Sequence, residues 1–363
     1  MTDIICSPGA LQRFAAGLTE AAGADRDVAE EMGRHLVNAN LSGHDSHGVI
    51  RLPQYFAQIG EGVILPAARP EILRETPVTA LIDARRGLGQ FSTAFALDWA
   101  VAHARQHGLA AAAIRHSSHI GRLGEYTERA AAAGLVAILT VGVGGPGLGG
   151  MLLYGSRQRF FGANPWSIGV PAEGGPPMVF DGSSSAIAEG KVRLARSKGA
   201  ALPEGAIADG EGKPTTDPED FYAGGGLLPL GGSVAGHKGY GLAMASMLVG
   251  ALAMIGDESP GLWVSSRAEV QDARGRAGGV FLLALDPGRF GDRATYAGMV
   301  AEVLSAAKRA PCAPGVPEIL IPGEPEVRMR ERRSREGIAV PEATWKELAA
   351  LAARLEVALP ERG

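Results

Sequence analysis

Short apolar runs separated by helix-patterned segments constrain this chain more than any other feature. Residues 69–82 alternate enough to form a strand, with a turn at Asp83-Ala84-Arg85-Arg86-Gly87. Leu109–Arg115 and residues 135–141 are brief apolar runs, the pattern of buried strands. Residues 91–107 and 124–134 carry helical spacing between them. A further strand is predicted at Val280–Leu285, stopped by Asp286-Pro287. Helical patterns dominate both ends. Leu11, Phe14, Leu18 and then Val28, Met32, Leu36 place two helices in residues 8–42. Residues 299–309 and 341–359 read as helices, the second with Trp345, Leu348, Leu351 and Leu355 in register. The expected fold is therefore α/β, with a helical lobe built from both termini around a central α/β lobe. The corresponding boundaries are 1–80, 81–290 and 291–363, the last segment packing with the first.

The chain has 363 residues and a formal charge of −4, from 35 basic and 39 acidic side chains. No basic stripe stands out, which argues against a nucleic-acid partner. The arginine-rich run Arg328-Met329-Arg330-Glu331-Arg332-Arg333 reads as a solvated helix face. Residues 239–256 are uncharged and border on the length of a membrane span. They are rich in Gly and Ala and have no similar companion, so a buried helix at a subunit interface is expected rather than a membrane anchor. Cys6 and Cys312 form no CxxC pattern, and the N-terminus lacks a charged start followed by an apolar run. A cytoplasmic protein is the expectation.

Chemistry concentrates in residues 44–51, where His44, Asp45, Ser46, His47 and Arg51 share eight positions after a helical pattern. Histidine moves protons near neutral pH, and arginine offers a two-pronged donor to a carboxylate. A second cluster, His116-Ser117-Ser118-His119, follows the strand Leu109–Arg115. The two His-x-x-His spacings lack a carboxylate at a helical offset, so no metal is assigned. A metal-dependent hydrolase using these histidines stays as a rival. Gly142, Gly144 and Gly147 fit Gly-x-Gly-x-x-Gly after a strand. However, Gly149 and Gly150 would spoil the required helix, and no acidic residue follows about 20 positions on. Asp181 ends an apolar strand and is followed by Ser183, Ser184 and Ser185, with a helix expected through residue 192. It suits either a helix cap or the orienting of an imidazole. Residues 200–232 look like a long excursion, and Gly236-His237-Lys238-Gly239 opens the next helix, a setting that suits phosphate.

These segments together resemble the malate/L-lactate dehydrogenase family that is distinct from Rossmann-type enzymes. That family includes ureidoglycolate, 2,3-diketogulonate and sulfolactate dehydrogenases and Δ1-piperideine-2-carboxylate reductases. The matching segments are residues 43–55 (GHDSHGVIRLPQY), 83–90, 119–126 (HIGRLGEY), 162–165 (GANP), 181–192, 228–242 with GHKGYGL, and 321–324 (IPGE). The resemblance implies a non-Rossmann cofactor domain with a mixed, largely antiparallel sheet. It also implies a homodimer and reversible hydride transfer between NAD or NADP and a small 2-oxo acid. Reduction of a cyclic imine carboxylate with NADPH is the alternative within the family. By matched position, His47 is the proton donor, Asp181 its orienting partner and His119 a second acid/base. Arg51 holds the substrate carboxylate, with Ser46, Tyr55 and His44 nearby. The cofactor contacts implied are Phe180, Asp181, Gly182, Ser183, Ser184, Ser185, His237, Lys238, Gly323, Glu324 and Pro325. Residues 140–147 and Tyr154-Gly155 depart from the family pattern, in a segment that in relatives approaches the substrate.

Overall fold

The structure, a computed structural model, describes residues 3–256 and 279–360. The chain runs through β1 (Ile4–Cys6), α1 (Pro8–Ala21), α2 (Arg26–Leu41) and α3 (Leu52–Gly60). Next come β2 (Glu71–Glu75), β3 (Thr79–Asp83), α4 (Gly89–His107), β4 (Leu109–Arg115), α5 (Gly124–Ala132) and β5 (Val136–Val141). The middle holds β6 (Met151–Leu152), β7 (Arg159–Phe161), β8 (Trp166–Val170), β9 (Met178–Gly182) and α6 (Glu189–Lys198). It continues with β10 (Ile207–Ala208), β11 (Pro214–Thr215), α7 (Pro218–Tyr222), β12 (Gly226–Leu227) and α8 (Gly232–Gly250). Then follow β13 (Val280–Leu285), α9 (Arg293–Lys308), α10 (Glu324–Glu336), β14 (Ile338–Val340) and α11 (Glu342–Arg354).

The two ends of the chain meet. β1 pairs antiparallel with β14, and Leu11, Leu18, Met32 and Leu36 share one core with Trp345 and Leu348. Local chemistry starts the first helix: Ser7 Oγ accepts from the Ala10 N–H at 3.3 Å, and Pro8 sits where no N–H is required. A second core lies under a seven-stranded sheet of order β2-β3-β4-β13-β5-β8-β9. Alanines on α4 (Ala96, Ala100, Ala104) share this core with Ala110 and Ala112 of β4. β3 and β4 pair in parallel, and every other neighbouring pair in that sheet is antiparallel. The mixed, largely antiparallel sheet and the helical lobe built from both termini are therefore as expected.

β13 comes from far along the chain to lie between β4 and β5, placing Leu282 opposite both Ala112 and Leu139. After β5 the chain enters the loop 142–150 rather than a helix, so its glycines form no dinucleotide turn. They allow close approach instead. Gly149 has φ +66°, and a Cβ there would sit 2.0 Å from the Phe161 carbonyl oxygen.

Several elements differ from the sequence reading. Residues 69–82 form a hairpin of β2 and β3, because Pro77 and the Thr76 side chain make a turn between them. The helix expected to start at Ser183 begins only at Glu189. Residues 184–186 are instead tied to the strand-like segment 228–230, through Ala186 N–H to Leu228 O and Leu230 N–H to Ser184 O, both 2.8 Å. The excursion 200–232 contributes three strands to a small five-stranded sheet with its own core around Phe161, Ile207 and Phe221. α8 starts before Lys238 and kinks at Ala235, where φ is −135°. The arginine run is more than a solvated face: Arg330 and Arg333 of α10 reach Glu128 and Asp45.

Candidate active site

The loop between α2 and α3 is held from both sides. Asn40, on the last turn of α2, donates from Nδ2 to Asp45 at 2.6 Å and accepts the Val49 N–H on Oδ1 at 3.0 Å. Arg333 grips Asp45 with two bonds, of 2.7 and 2.9 Å, and also donates to the Asn40 carbonyl. Glu326 lies 3.0 Å from His44 Nε2, which holds its carboxyl below the usual range. Arg330 pairs with Glu128 and donates to Ser42. Thus α10, from the far end of the sequence, fixes the segment that carries the candidate chemistry.

On that segment Ser46 Oγ lies 3.0 Å from His47 Nδ1. Arg51 donates from Nε to the Ser46 carbonyl and from Nη1 to Gln54 at 2.8 Å. The His47 and His119 rings stack with centroids 5.5 Å apart and planes 26° apart. Tyr55 Oη is 2.6 Å from His119 Nδ1, and buried Gln90 donates to the same hydroxyl from Nε2 at 3.0 Å. Ser46, His47, Arg51, Tyr55 and His119 are therefore contiguous, although they come from two separate stretches of sequence.

Burial, then the charges of Arg51 and His44, push the His47 imidazole down to about 3. His119 is also pushed well below its ordinary value, by burial first and then by His47 and Arg51. Burial raises Tyr55 and keeps its hydroxyl protonated. With burial and the fixed Arg51 cation beside it, and no carboxylate bonded to it among the described residues, the unliganded imidazole is neutral at pH 7.

Asp181, at the end of β9, is engaged elsewhere. Its Oδ2 accepts the Gly124 N–H at 2.7 Å, at the start of α5, and lies 3.9 Å from buried Arg122. Burial raises its carboxyl, and Arg122 opposes that rise. Among the described residues Asp181 makes no hydrogen bond to His47. The loop carrying His119 and Arg122 is itself braced from below, where His35 Nε2 accepts the Arg122 N–H at 3.0 Å and His35 Nδ1 faces Glu125.

The other expected contacts lie along one continuous path. Ser184 Oγ donates to the Asn164 carbonyl and Ser185 Oγ to Ile187, so those hydroxyls are committed within the protein. Phe180 on the edge strand β9 is exposed, and Gly182 lies against its ring. Gly323 packs on the backbone of Val179, whose N–H donates to Pro322 O. Glu324 is bound to Lys308 and to the Ile321 N–H, while Pro325 is exposed at the start of α10. His237 and Lys238 are exposed on the first turn after the kink in α8, and Lys238 has no carboxylate partner among the described residues. An edge strand, an exposed aromatic ring and an unneutralised ammonium on the first turn after a helix kink form a donor set that fits a planar base and phosphates. A nicotinamide dinucleotide is thus compatible with the residues present.

Among the described residues no group of three His, Cys, Asp or Glu side chains could hold a metal ion. His44 and His116 face Glu326 and Asp83 rather than each other. The site also contains Asn40, Gln90, Arg122, Glu326 and Arg333, none of which carried a sequence signal of its own. Gln90 and Arg122 fall inside the matched segments, whereas Arg333 sits in a run that reads as surface charge.

The profile of the malate/L-lactate dehydrogenase family matches residues 6–349. Hydroxycarboxylate dehydrogenase B of Escherichia coli O157:H7 is 33% identical over 356 residues, covering 97% of this chain and 94% of that protein. The Δ1-pyrroline-2-carboxylate/Δ1-piperideine-2-carboxylate reductase of Pseudomonas putida is 32% identical over 333 residues, 92% of each. The crystal structure of malate dehydrogenase from Entamoeba histolytica superposes with a TM-score of 0.90 at 25% identity, covering 99% of this chain and 100% of that one. This chain belongs to the malate/L-lactate dehydrogenase family and is a nicotinamide-dependent dehydrogenase of small hydroxy and oxo acids.

Proposed function

We propose that His47 moves the proton and Arg51 holds the carboxylate as a 2-hydroxy acid and its 2-oxo acid interconvert. The observation that carries this reading is the contiguity of Ser46, His47, Arg51, Tyr55 and His119 around one neutral imidazole. A nicotinamide cofactor held along β9 and the start of α10 would supply the hydride chemistry at the carbon beside the carboxylate. In oxidation, Nε2 of His47 takes the hydroxyl proton while Ser46 Oγ accepts from Nδ1–H, which keeps the Nε2 lone pair free. A neutral His47 is ready for that direction. In reduction, an incoming carboxylate offsets the Arg51 charge that helps to hold His47 neutral, and this favours the imidazolium that gives the proton back. Arg51 uses Nε and Nη1 within the loop, and Nη2 is left to the acid. Asp181 acts at one remove, by fixing Arg122 and the start of α5 beneath the histidines.

In this reading Phe180, Asp181, Gly182, Ser183, His237, Lys238, Gly323, Glu324 and Pro325 line the cofactor, with Ser184 and Ser185 offering backbone groups only. Arg196 is bound to Glu219 and stacked on Tyr222, so Lys191, Lys198 and Arg193, the last only 3.9 Å from Glu189, are the cations left on α6 for a 2′-phosphate. The proposed division is 1–80, 81–290 and 291–363; one core shared by the first and last segments and two further cores within the middle one support it, although β2 and the start of β3 join the central sheet. A cytoplasmic homodimer completes the proposal. No helix among the described residues is long and apolar enough to cross a membrane, while Leu248 near the end of α8, Leu252 and Ile255 just after it, and Met299 and Val303 on α9 are exposed. The similarity to the P. putida reductase favours cyclic imine carboxylates as a second substrate class, because a carbon–nitrogen double bond needs the same proton and carboxylate clamp.

The test is absorbance at the reduced-nicotinamide band, with NADH and NADPH in turn against a panel of 2-oxo acids and cyclic imine carboxylates. Consumption with an acid and loss of that turnover in His47→Ala are expected. A fully active His47→Ala would remove His47 from the proton transfer.

A further inference from the structure

The chain Gln90–Tyr55–His119 has a direction. Gln90 is fully buried, and its Nε2 donates to Tyr55 Oη at 3.0 Å. This orientation leaves the side-chain carbonyl and one amide proton without a partner among the described residues, whereas the reverse would strand both amide protons, and an orphaned buried N–H is rarer than an under-satisfied carbonyl. Tyr55 Oη has already accepted, so its own proton needs an acceptor. Among the described residues the one it meets is His119 Nδ1, at 2.6 Å. That nitrogen must then carry the lone pair, and the ring proton sits on Nε2.

We infer that Gln90 is a positioning residue that fixes His119, through Tyr55, as the neutral Nε2–H tautomer, so that His119 donates a hydrogen bond from Nε2 and His47 alone carries the transferable proton. The stacking of His47 on His119 at 5.5 Å gives this a purpose, since two cations at that separation in a half-buried site repel each other. With His119 locked as neutral, a proton taken from the substrate stays on His47. The assignment of His119 rests on the reading of His47 and Arg51 above, whereas the tautomer itself is independent of any turnover.

Nitrogen NMR of full-length protein labelled with 15N-histidine reports the tautomer directly, and His119→Gln identifies the signal. Wild type should show His119 protonated on Nε2. Gln90→Glu replaces the donor with an acceptor, so Tyr55 donates to the new carboxylate and accepts from His119 Nδ1–H instead. The ratio of the two neutral forms should change by at least about fivefold, the scale of one hydrogen bond. If that variant fails to fold, Tyr55→Phe removes the link and should bring the ratio toward that of free imidazole. A wild-type Nδ1–H signal, or a ratio that neither folded variant moves, overturns the inference. Absence of nicotinamide turnover in the same wild-type sample would instead sink the proposed function.

Discussion

Replacing Gly48 with alanine tests how the loop that carries His47 is held. Gly48 has φ −87° and ψ −154°, a conformation open to any residue, so a methyl group there meets no backbone objection. The obstacle is space: the added Cβ would lie 2.2 to 2.4 Å from all three terminal atoms of the Asn40 amide. Asn40 must therefore swing away, losing its 2.6 Å bond to the Asp45 carboxylate and its 3.0 Å bond from the buried Val49 N–H. Losing the bond to the carboxylate costs about 1.5–3 kcal/mol, and orphaning the buried N–H costs about 1–3 kcal/mol. Some relaxation offsets this, and a loss of about 3 kcal/mol is expected. The assay is a double-mutant cycle by chemical denaturation. Asn40→Ala removes the colliding atoms, so Gly48→Ala should cost under about 0.5 kcal/mol in that background, the size of an ordinary surface substitution. Equal costs in both backgrounds, or a single variant as stable as wild type, would refute the reasoning. Turnover should fall with stability in Gly48→Ala alone, because His47 sits one residue away.

Arg51→Lys keeps the charge but loses the Nε and Nη1 bonds to the Ser46 carbonyl and Gln54 that aim Nη2 at the acid, so KM for the acid should rise about 10- to 100-fold in steady-state kinetics while turnover changes less; an unchanged KM would place the carboxylate clamp elsewhere. His47 is held neutral down to about 3, so kcat/KM for hydroxy-acid oxidation should stay level as pH falls through 6.5, and an acid limb centred near 6.5 would contradict the depressed imidazole. The same depression bears on stability. The unfolded chain binds a proton near pH 6.5 that the folded chain refuses, so stability should drop as pH falls below about 6.5, and His47→Gln should flatten that part of a denaturation profile. Asp181→Asn should lower stability by about 1–2 kcal/mol, as expected for a weakened helix-start contact beside a buried arginine, and should lower turnover more than it raises KM. Equal stability with normal kinetics would reduce Asp181 to a bystander.

Much of this protein is determined by local sequence. The helices of α1, α2, α4 and α5 and the strands β4, β5 and β13 follow from side-chain period, because each buries one face or lies within the sheet. His44, Ser46, His47 and Arg51 are legible for the same reason: they lie within one turn-rich segment, where spacing alone puts a proton carrier beside a fixed cation. Tertiary structure decided the rest. Nothing near β13 indicates that it enters between β4 and β5, since antiparallel pairing across a long separation leaves no local pattern. Asp181 was equally suited to capping a helix or orienting an imidazole, and only packing set it on Gly124 and Arg122. The helix expected at Ser183 yielded to pairing with residues 228–230. The arginines of α10 look like surface charge in sequence, yet Arg333 reaches back 288 positions to Asp45. His47 changed most. Sequence identifies the imidazole, but its proton affinity is set by burial and by Arg51 and His44 together, and desolvation exists only once the chain has closed over it.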